Sequence, residues 1–314
     1  MIKNLTSLVL LYFVGLGAIS AQVSIKKEQG GIWIIDGGKN VAFYQKEPMS
    51  FNAAEKRNNF LHPVMLPDGT TITENAPDDH LHHRGIFWAW HQILIDEQQV
   101  SDGWDLKNFA VDVKSIEFRR LKSGDGELQT TSFWTSPLYK NGEEAYLKEI
   151  TTYTFHKQKG NYRIMHFRIR LISQVENLKL GGSQDEKGYG GFSARIKLPA
   201  DVQFRSNHGN VQPENTPVQA GDYINISGSM ARNGNGAGGV IIYADPNNPI
   251  NTHSWILRSK ESMQNAVFPG RYPVQLKQGE PLELNYTVVL YTGKVKERNI
   301  LKEIELDDSQ LTKE

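Results

Sequence analysis

The 314-residue chain contains no cysteine. Disulfides therefore cannot staple the fold, a thiol nucleophile is excluded, and so is a lipid anchor attached through cysteine behind a leader. Burial must supply the stability. An excess of charge of either sign is also missing, since 35 basic residues balance 35 acidic ones. Nothing steers the chain as a whole to nucleic acid or to an anionic membrane surface. Long apolar runs are missing as well, apart from one over residues 5–17 that only Thr6 and Ser7 interrupt. That run follows Lys3, falls short of the ~20 residues needed to cross a bilayer, and is succeeded by small Ala21 ahead of Gln22. It reads as a secretory signal peptide over residues 1–21, with cleavage near Ala21. The protein is accordingly expected in the periplasm, with no membrane insertion, and residues 22–314 are expected to form a single domain.

Sustained helical periodicity is absent until the C-terminus, where Val295, Ile300, Leu301 and Ile304 could line one side of a short helix. Elsewhere apolar residues recur at a spacing of two. In residues 162–171, Tyr162, Ile164, His166, Arg168 and Arg170 alternate with Arg163, Met165, Phe167, Ile169 and Leu171, the pattern of a strand with two unlike faces. Lys159-Gly160-Asn161, Ser123-Gly124-Asp125-Gly126 and Lys140-Asn141-Gly142 read as the turns between such strands. The expected fold is all-β, a large antiparallel β-sandwich. Glycine-rich residues 181–191 and 231–239 are read as loops, because neither opens a helix after a strand as a phosphate-binding loop would. No cofactor is expected.

The densest polar cluster is residues 78–91, Asp-Asp-His-Leu-His-His-Arg-Gly-Ile-Phe-Trp-Ala-Trp-His, which holds four of the nine histidines and two of the six tryptophans. If extended throughout, it places His80, His82, Arg84, Ile86, Trp88 and Trp90 on one face and Leu81, His83, Gly85, Phe87, Ala89 and His91 on the other. Histidine moves protons near neutral pH, and arginine grips carboxylates through paired hydrogen bonds. Trp88, Trp90 and Trp104 offer flat surfaces for a pyranose ring. The competing reading makes the histidines structural and the tryptophans core. His80 and His82, two apart on a strand, are an alternative metal pair, with Asp78 or Asp79 as an oxygen donor.

Two further segments carry candidates. Tyr189, flanked by glycines, could serve as a phenolic acid or base, and Arg195 is either a ligand clamp or a residue of the sheet surface. Residues 245–258 present His253, Trp255 and Arg258 after a proline-fixed turn, either to a ligand or merely to close one end of the sandwich. No Gly-x-Ser-x-Gly nucleophile elbow occurs.

At these segments the chain resembles the exported bacterial proteins labelled PmoA-like. The resemblance is carried by Asp79-His-Leu-His-His-Arg-Gly-Ile-Phe-Trp-Ala-Trp90, Gly190-Gly-Phe-Ser-Ala-Arg195, Asp245-Pro-Asn-Asn-Pro with Trp255, and Gly279-Glu-Pro-Leu-Glu-Leu-Asn-Tyr286. It implies a sandwich similar to the galactose-mutarotase supersandwich. It also implies a carbohydrate substrate, one associated activity being dehydration of a terminal uronic acid in ulvan-type oligosaccharides.

The leading expectation is thus a lyase or dehydratase on uronate-containing oligosaccharides. His82, His83 and Tyr189 are the candidate acid and base; His80, Arg84, Trp90, Arg195, His253, Trp255 and Arg258 are the candidate substrate contacts. A mutarotase or glycoside hydrolase would instead need paired carboxylates, for which Glu149, Asp185, Glu186 and Glu261 are available. A carbohydrate-binding module is the non-catalytic alternative.

Overall fold

A computed structural model describes residues 22–50, 56–250, 252–260 and 263–311, with side chains described as far as Ile304. The expected signal peptide lies outside these residues. Two nine-stranded antiparallel sheets form the body, as the alternation predicts. The first runs, in spatial order, through Val23–Glu28, Gly31–Asp36, Lys39–Gln45, Phe60–Val64, Ile86–Trp90, Gly190–Arg195, Met263–Val267, Ser254–Ile256 and Val218–Gln219. The second runs through Gly209–Val211, Gln203–Ser206, Tyr223–Ala231, Gly236–Ala244, Pro281–Thr292, Tyr162–Ser173, Leu147–Phe155, Gly126–Thr135 and Ala110–Arg120. A smaller third sheet, centred on Leu178–Gly181 and Gln92–Ile95, adds Ile93, Ile95, Leu178 and Leu180 to the same core.

The core is sandwiched between the two large sheets. Tyr44 packs edge-on against Tyr153, Phe167 meets Phe192 at 5.1 Å, and Phe192 stacks on Tyr286 at 4.5 Å between ring centroids. Each pair joins one sheet to the other. In Tyr162–Ser173 the alternation holds: Met165, Phe167, Ile169 and Leu171 are buried, while Arg168 reaches solvent. The terminal helix forms over Glu297–Leu311, and Ile300 and Ile304 bury against Ile241 and Val289 on the outer face of the second sheet. No helix among the described residues is long and apolar enough to cross a membrane.

The first sheet positions the candidate site. Alternate residues of its central strands face the core, namely Ile86, Trp88 and Trp90 with Phe192 and Ala194. Their neighbours Phe87 and Ala89 turn outward and gather Phe60, Trp104, Ile256, Met263, Val267 and Tyr189 into a second apolar cluster. That outer cluster is the floor on which the histidine segment sits.

Candidate functional site

Residues 78–84 do not extend the strand as expected, which begins only at Ile86. The chain makes two consecutive turns, closed by His80 N–H to the Pro77 carbonyl at 2.9 Å and His83 N–H to the His80 carbonyl at 3.0 Å. A turn brings together side chains that a strand would separate. His80 stacks on His83 at 4.6 Å between centroids, His82 stands edge-on to His83 at 4.5 Å, and His80 is 5.7 Å from His82. The expected two-faced division of these histidines is therefore wrong. Gly85 makes the junction possible, since a Cβ there would lie 1.9 Å from the Leu61 carbonyl oxygen.

Two buried arginines hold these turns, and neither is a ligand clamp. Arg84 is fully buried and donates to the carbonyls of Leu81 and His83. Arg195, 3% exposed, gives Nη2 to both oxygens of Asp79 at 2.9 Å and Nε to Glu74 at 2.9 Å. Its Nη1 reaches His83 Nδ1 at 3.3 Å. Because the guanidinium donates, that imidazole nitrogen accepts and the His83 hydrogen sits on Nε2. Asp79 in turn bonds His80 Nδ1 at 3.0 Å. Burial works against ionisation of the Asp79 carboxyl, but its bonds from His80 and Arg195 hold it below the usual range.

The rings continue outward from this turn. Trp104 lies 6.0 Å from His83, 5.5 Å from His91 and 5.5 Å from Tyr189 between centroids. Arg57, buried beneath, donates to the carbonyls of Gly103 at 2.6 Å and Trp104 at 3.1 Å and lies 4.7 Å from the centre of the Phe87 ring. Burial and neighbouring Arg84 push its pKa down to about 9. His91 bonds Asp102 Oδ2 through Nδ1 at 3.0 Å, which in the neutral ring leaves Nε2 as an acceptor. Asp102 is itself fixed, because its other oxygen accepts from the backbone of Trp104 at 2.9 Å and Asp105 at 2.8 Å. At the far side, Arg258 donates to the Tyr189 hydroxyl oxygen and to the carbonyls of Glu214 and Leu257.

Burial pushes His82 down to about 4, against the opposing pull of Asp105. His82 is therefore neutral at physiological pH and able to accept a proton. His83, 4% exposed, is driven further down by burial and by His82, His80 and Arg195. Buried and held at Nδ1 by Arg195, its ring packs within the cluster, and the proton transfer expected of it would require that nitrogen to be released.

The other predicted contacts divide. Trp90 is buried in the core with Nε1 donating to the Phe268 carbonyl at 2.9 Å, and Trp255 is buried with Nε1 on the Gly221 carbonyl at 2.8 Å. Neither faces a ligand, because each lies on the core side of its strand. His253 pairs with Asp222 at 2.8 Å beside a separate cavity of about 350 Å³ shared with Asn207 and His208. Among the carboxylates considered for hydrolysis, Glu149 is buried in the core, accepting from Asn59, Trp134 and Thr151, and burial raises its pKa. Asp185 caps its own loop through Ser183 and Lys187, Glu186 is exposed, and Glu261 lies outside the described residues.

Sequence reasoning missed Asp102, Asp105 and Arg57, and saw His91 without its partner. His91, Asp102 and Asp105 offer donor atoms within 4.8 Å of one another and could hold a divalent cation. The expected pair His80 and His82 does not belong to that group. The only sequence signal was an Asp-Gly-Trp-Asp turn at residues 102–105, which local patterning reads as a loop.

No curated protein matches the chain in sequence. Among solved structures it is similar to a heparan sulfate lyase HepC mutant from Pedobacter heparinus, at 11% identity and a TM-score of 0.38. That match covers 88% of this chain and 36% of the lyase, so the chain spans little more than a third of that protein's length. A family model matches residues 33–305, and the chain belongs to that family, described as a family of unknown function (DUF6807).

Proposed function

We propose that the protein is a carbohydrate-active lyase that eliminates water across C4 and C5 of a terminal uronic acid in oligosaccharides. One observation carries this reading. His91 and the phenol Tyr189 both lie against Trp104, His82 joins them through His83, His91 is oriented by Asp102 and Tyr189 by Arg258. Elimination needs the substrate carboxylate neutralised so that the C5 proton becomes acidic, a base for that proton and an acid for the departing hydroxyl.

The assignment follows from what each side chain already does. Arg84 and Arg195 are buried in the turns they hold, whereas Arg258 is only half-buried and its other partners are the backbone carbonyls of Glu214, Asn215 and Leu257, so Arg258 is the guanidinium that turns to the C6 carboxylate. His82 takes the C5 proton, with His91 as the second candidate base. The C5–H electrons form the C4–C5 double bond as the C4–O bond breaks. Tyr189, whose oxygen already accepts from Arg258, directs its hydrogen elsewhere and protonates the leaving hydroxyl, which departs as water. Trp104 supplies an apolar surface beside the sugar ring.

Export to the periplasm belongs to the same proposal and rests on residues 1–21, as does kinship with the PmoA-like proteins, which rests on the motifs. The test is incubation of the purified protein with a panel of uronate-terminated oligosaccharides, following absorbance of the unsaturated uronate together with product mass. Rising absorbance with loss of one water is the expected result. Gain of water would point to hydrolysis, and binding with unchanged mass would leave a carbohydrate-binding protein; either contradicts the proposal.

A further inference from the structure

The exposed face of the second sheet carries a cavity of about 360 Å³, on the side of the sandwich opposite the histidine cluster. Its floor is two adjacent cross-strand rows. One runs Arg119, Glu127, Thr154, His166, Thr287. The next runs Gln129, Thr152, Arg168, Asn285. Their chain neighbours Leu128, Tyr153, Phe167 and Tyr286 face the core, so the polar rows are the reverse side of a fully packed sheet. A floor built on paired central strands is preformed and needs little ordering when a ligand arrives.

The chemistry of the floor is specific. Its charges are matched: Arg119 pairs with Glu127 at 3.0 Å and Arg168 with Glu283 at 3.0 Å. Asp245 adds a negative charge at the rim, which disfavours a second anion. Between the ion pairs lie amides and hydroxyls, which both donate and accept hydrogen bonds as sugar hydroxyls do. Gln129 already donates to Thr152 at 3.4 Å, and His166 bonds Thr287 at 2.8 Å. Burial pushes His166 down to about 3, so its ring enters the floor uncharged. The volume lies within the range of small-molecule sites.

We infer that this groove is a second saccharide-binding site, which takes a neutral, hydroxyl-rich pyranose unit and is separate from the site of elimination. The inference goes beyond the proposed reaction and does not require it. A chain with both sites could hold a mixed polysaccharide by its neutral residues while acting on a uronate.

Isothermal titration of the full chain tests it, with a panel of neutral disaccharides (gluco-, xylo-, manno- and galacto-configured), rhamnose and digalacturonate. The variants are Arg168→Ala, Thr152→Trp to fill the groove, and His82→Ala as control. At least one neutral saccharide should bind the parent, weaken about tenfold or more in both groove variants, and bind His82→Ala unchanged. The inference is overturned if no neutral saccharide binds, if binding survives both groove variants, or if it depends on His82. Digalacturonate binding in the groove as tightly as the neutral sugars would overturn the neutral assignment.

Discussion

At the scale of single residues, the site depends on which histidine is free to act. His82 combines partial exposure with a pKa of about 4, whereas His83 is fixed by Arg195 and buried. His82→Ala is expected to lower kcat/KM by a factor of about a hundred to ten thousand, the usual cost of losing a proton-transfer group. Only neutral His82 can accept the C5 proton. The parent's kcat/KM should therefore rise with pH through about 4 and level off above it, with that limb lost in the variant. A flat profile across that range would remove His82 from the role. The residue types visible in the sequence misled at Arg84 and Arg195. Arginine suggests a ligand contact, but both guanidiniums are buried by the turns they hold, Arg84 on carbonyls of its own turn and Arg195 on carboxylates distant in sequence. Arg195 and Asp79 are 116 residues apart.

At the scale of elements, the turns over residues 77–85 are the device that assembles the imidazoles. They are clamped to the sheet by Gly85 N–H to the Glu74 carbonyl at 2.8 Å and Arg195 N–H to the Gly85 carbonyl at 2.7 Å. Arg195→Ala should cost about 3 kcal/mol, because it leaves Asp79 and Glu74 without their buried cation. It should also depress activity more than stability alone explains, as His80 and His83 lose their register. Urea denaturation beside an activity assay would check both, and equal activity per folded molecule would contradict the second point. Gly85→Ala sets a methyl against the Leu61 carbonyl and should destabilise by at least about 2 kcal/mol.

Periodicity made the strand Ile86–Trp90 legible, but not the turns before it, where alternation of polar residues imitates an extended segment. The hairpin at residues 231–239 misled in the opposite direction. Glycines suggested a loop, whereas Gly236–Ala244 is a strand pressed close to Tyr291, where side chains at Gly238 and Gly239 would collide.

At the scale of the molecule, the absence of cysteine leaves the core between two sheets to hold the fold, and neutral histidines that are buried or half-buried outside that core make the fold sensitive to acid. His62, His82 and His166 have folded pKa values of about 4, 4 and 3, all lowered first by burial. In the unfolded chain they titrate near 6.5. The unfolded state then binds more protons between those values, so stability is fully present above about pH 6.5 and is lost as pH falls toward 3–4. Each contributes up to about 1.4 kcal/mol per pH unit in that window. The melting temperature should fall on acidification from pH 6.5 to 4, and an unchanged value would contradict the burial assigned to these rings.

The all-β class was legible because alternation is a local signal. The sheet order was not, since Ile86–Trp90 finds its partner Gly190–Arg195 about a hundred residues later. The pairing of His91 with Asp102 likewise depends on the hairpin of Gln92–Ile95 and Gln98–Ser101, which folds the chain back.

The central claim, that the ring cluster on the outer face of the first sheet eliminates water from a terminal uronate, is tested most directly by the mass of the product. A uronate-terminated oligosaccharide incubated with the parent protein should return one water lighter and newly absorbing, and unchanged with a His82→Ala, His91→Ala double variant. A substrate that stays intact with the parent, or loses water equally with the double variant, would contradict the account.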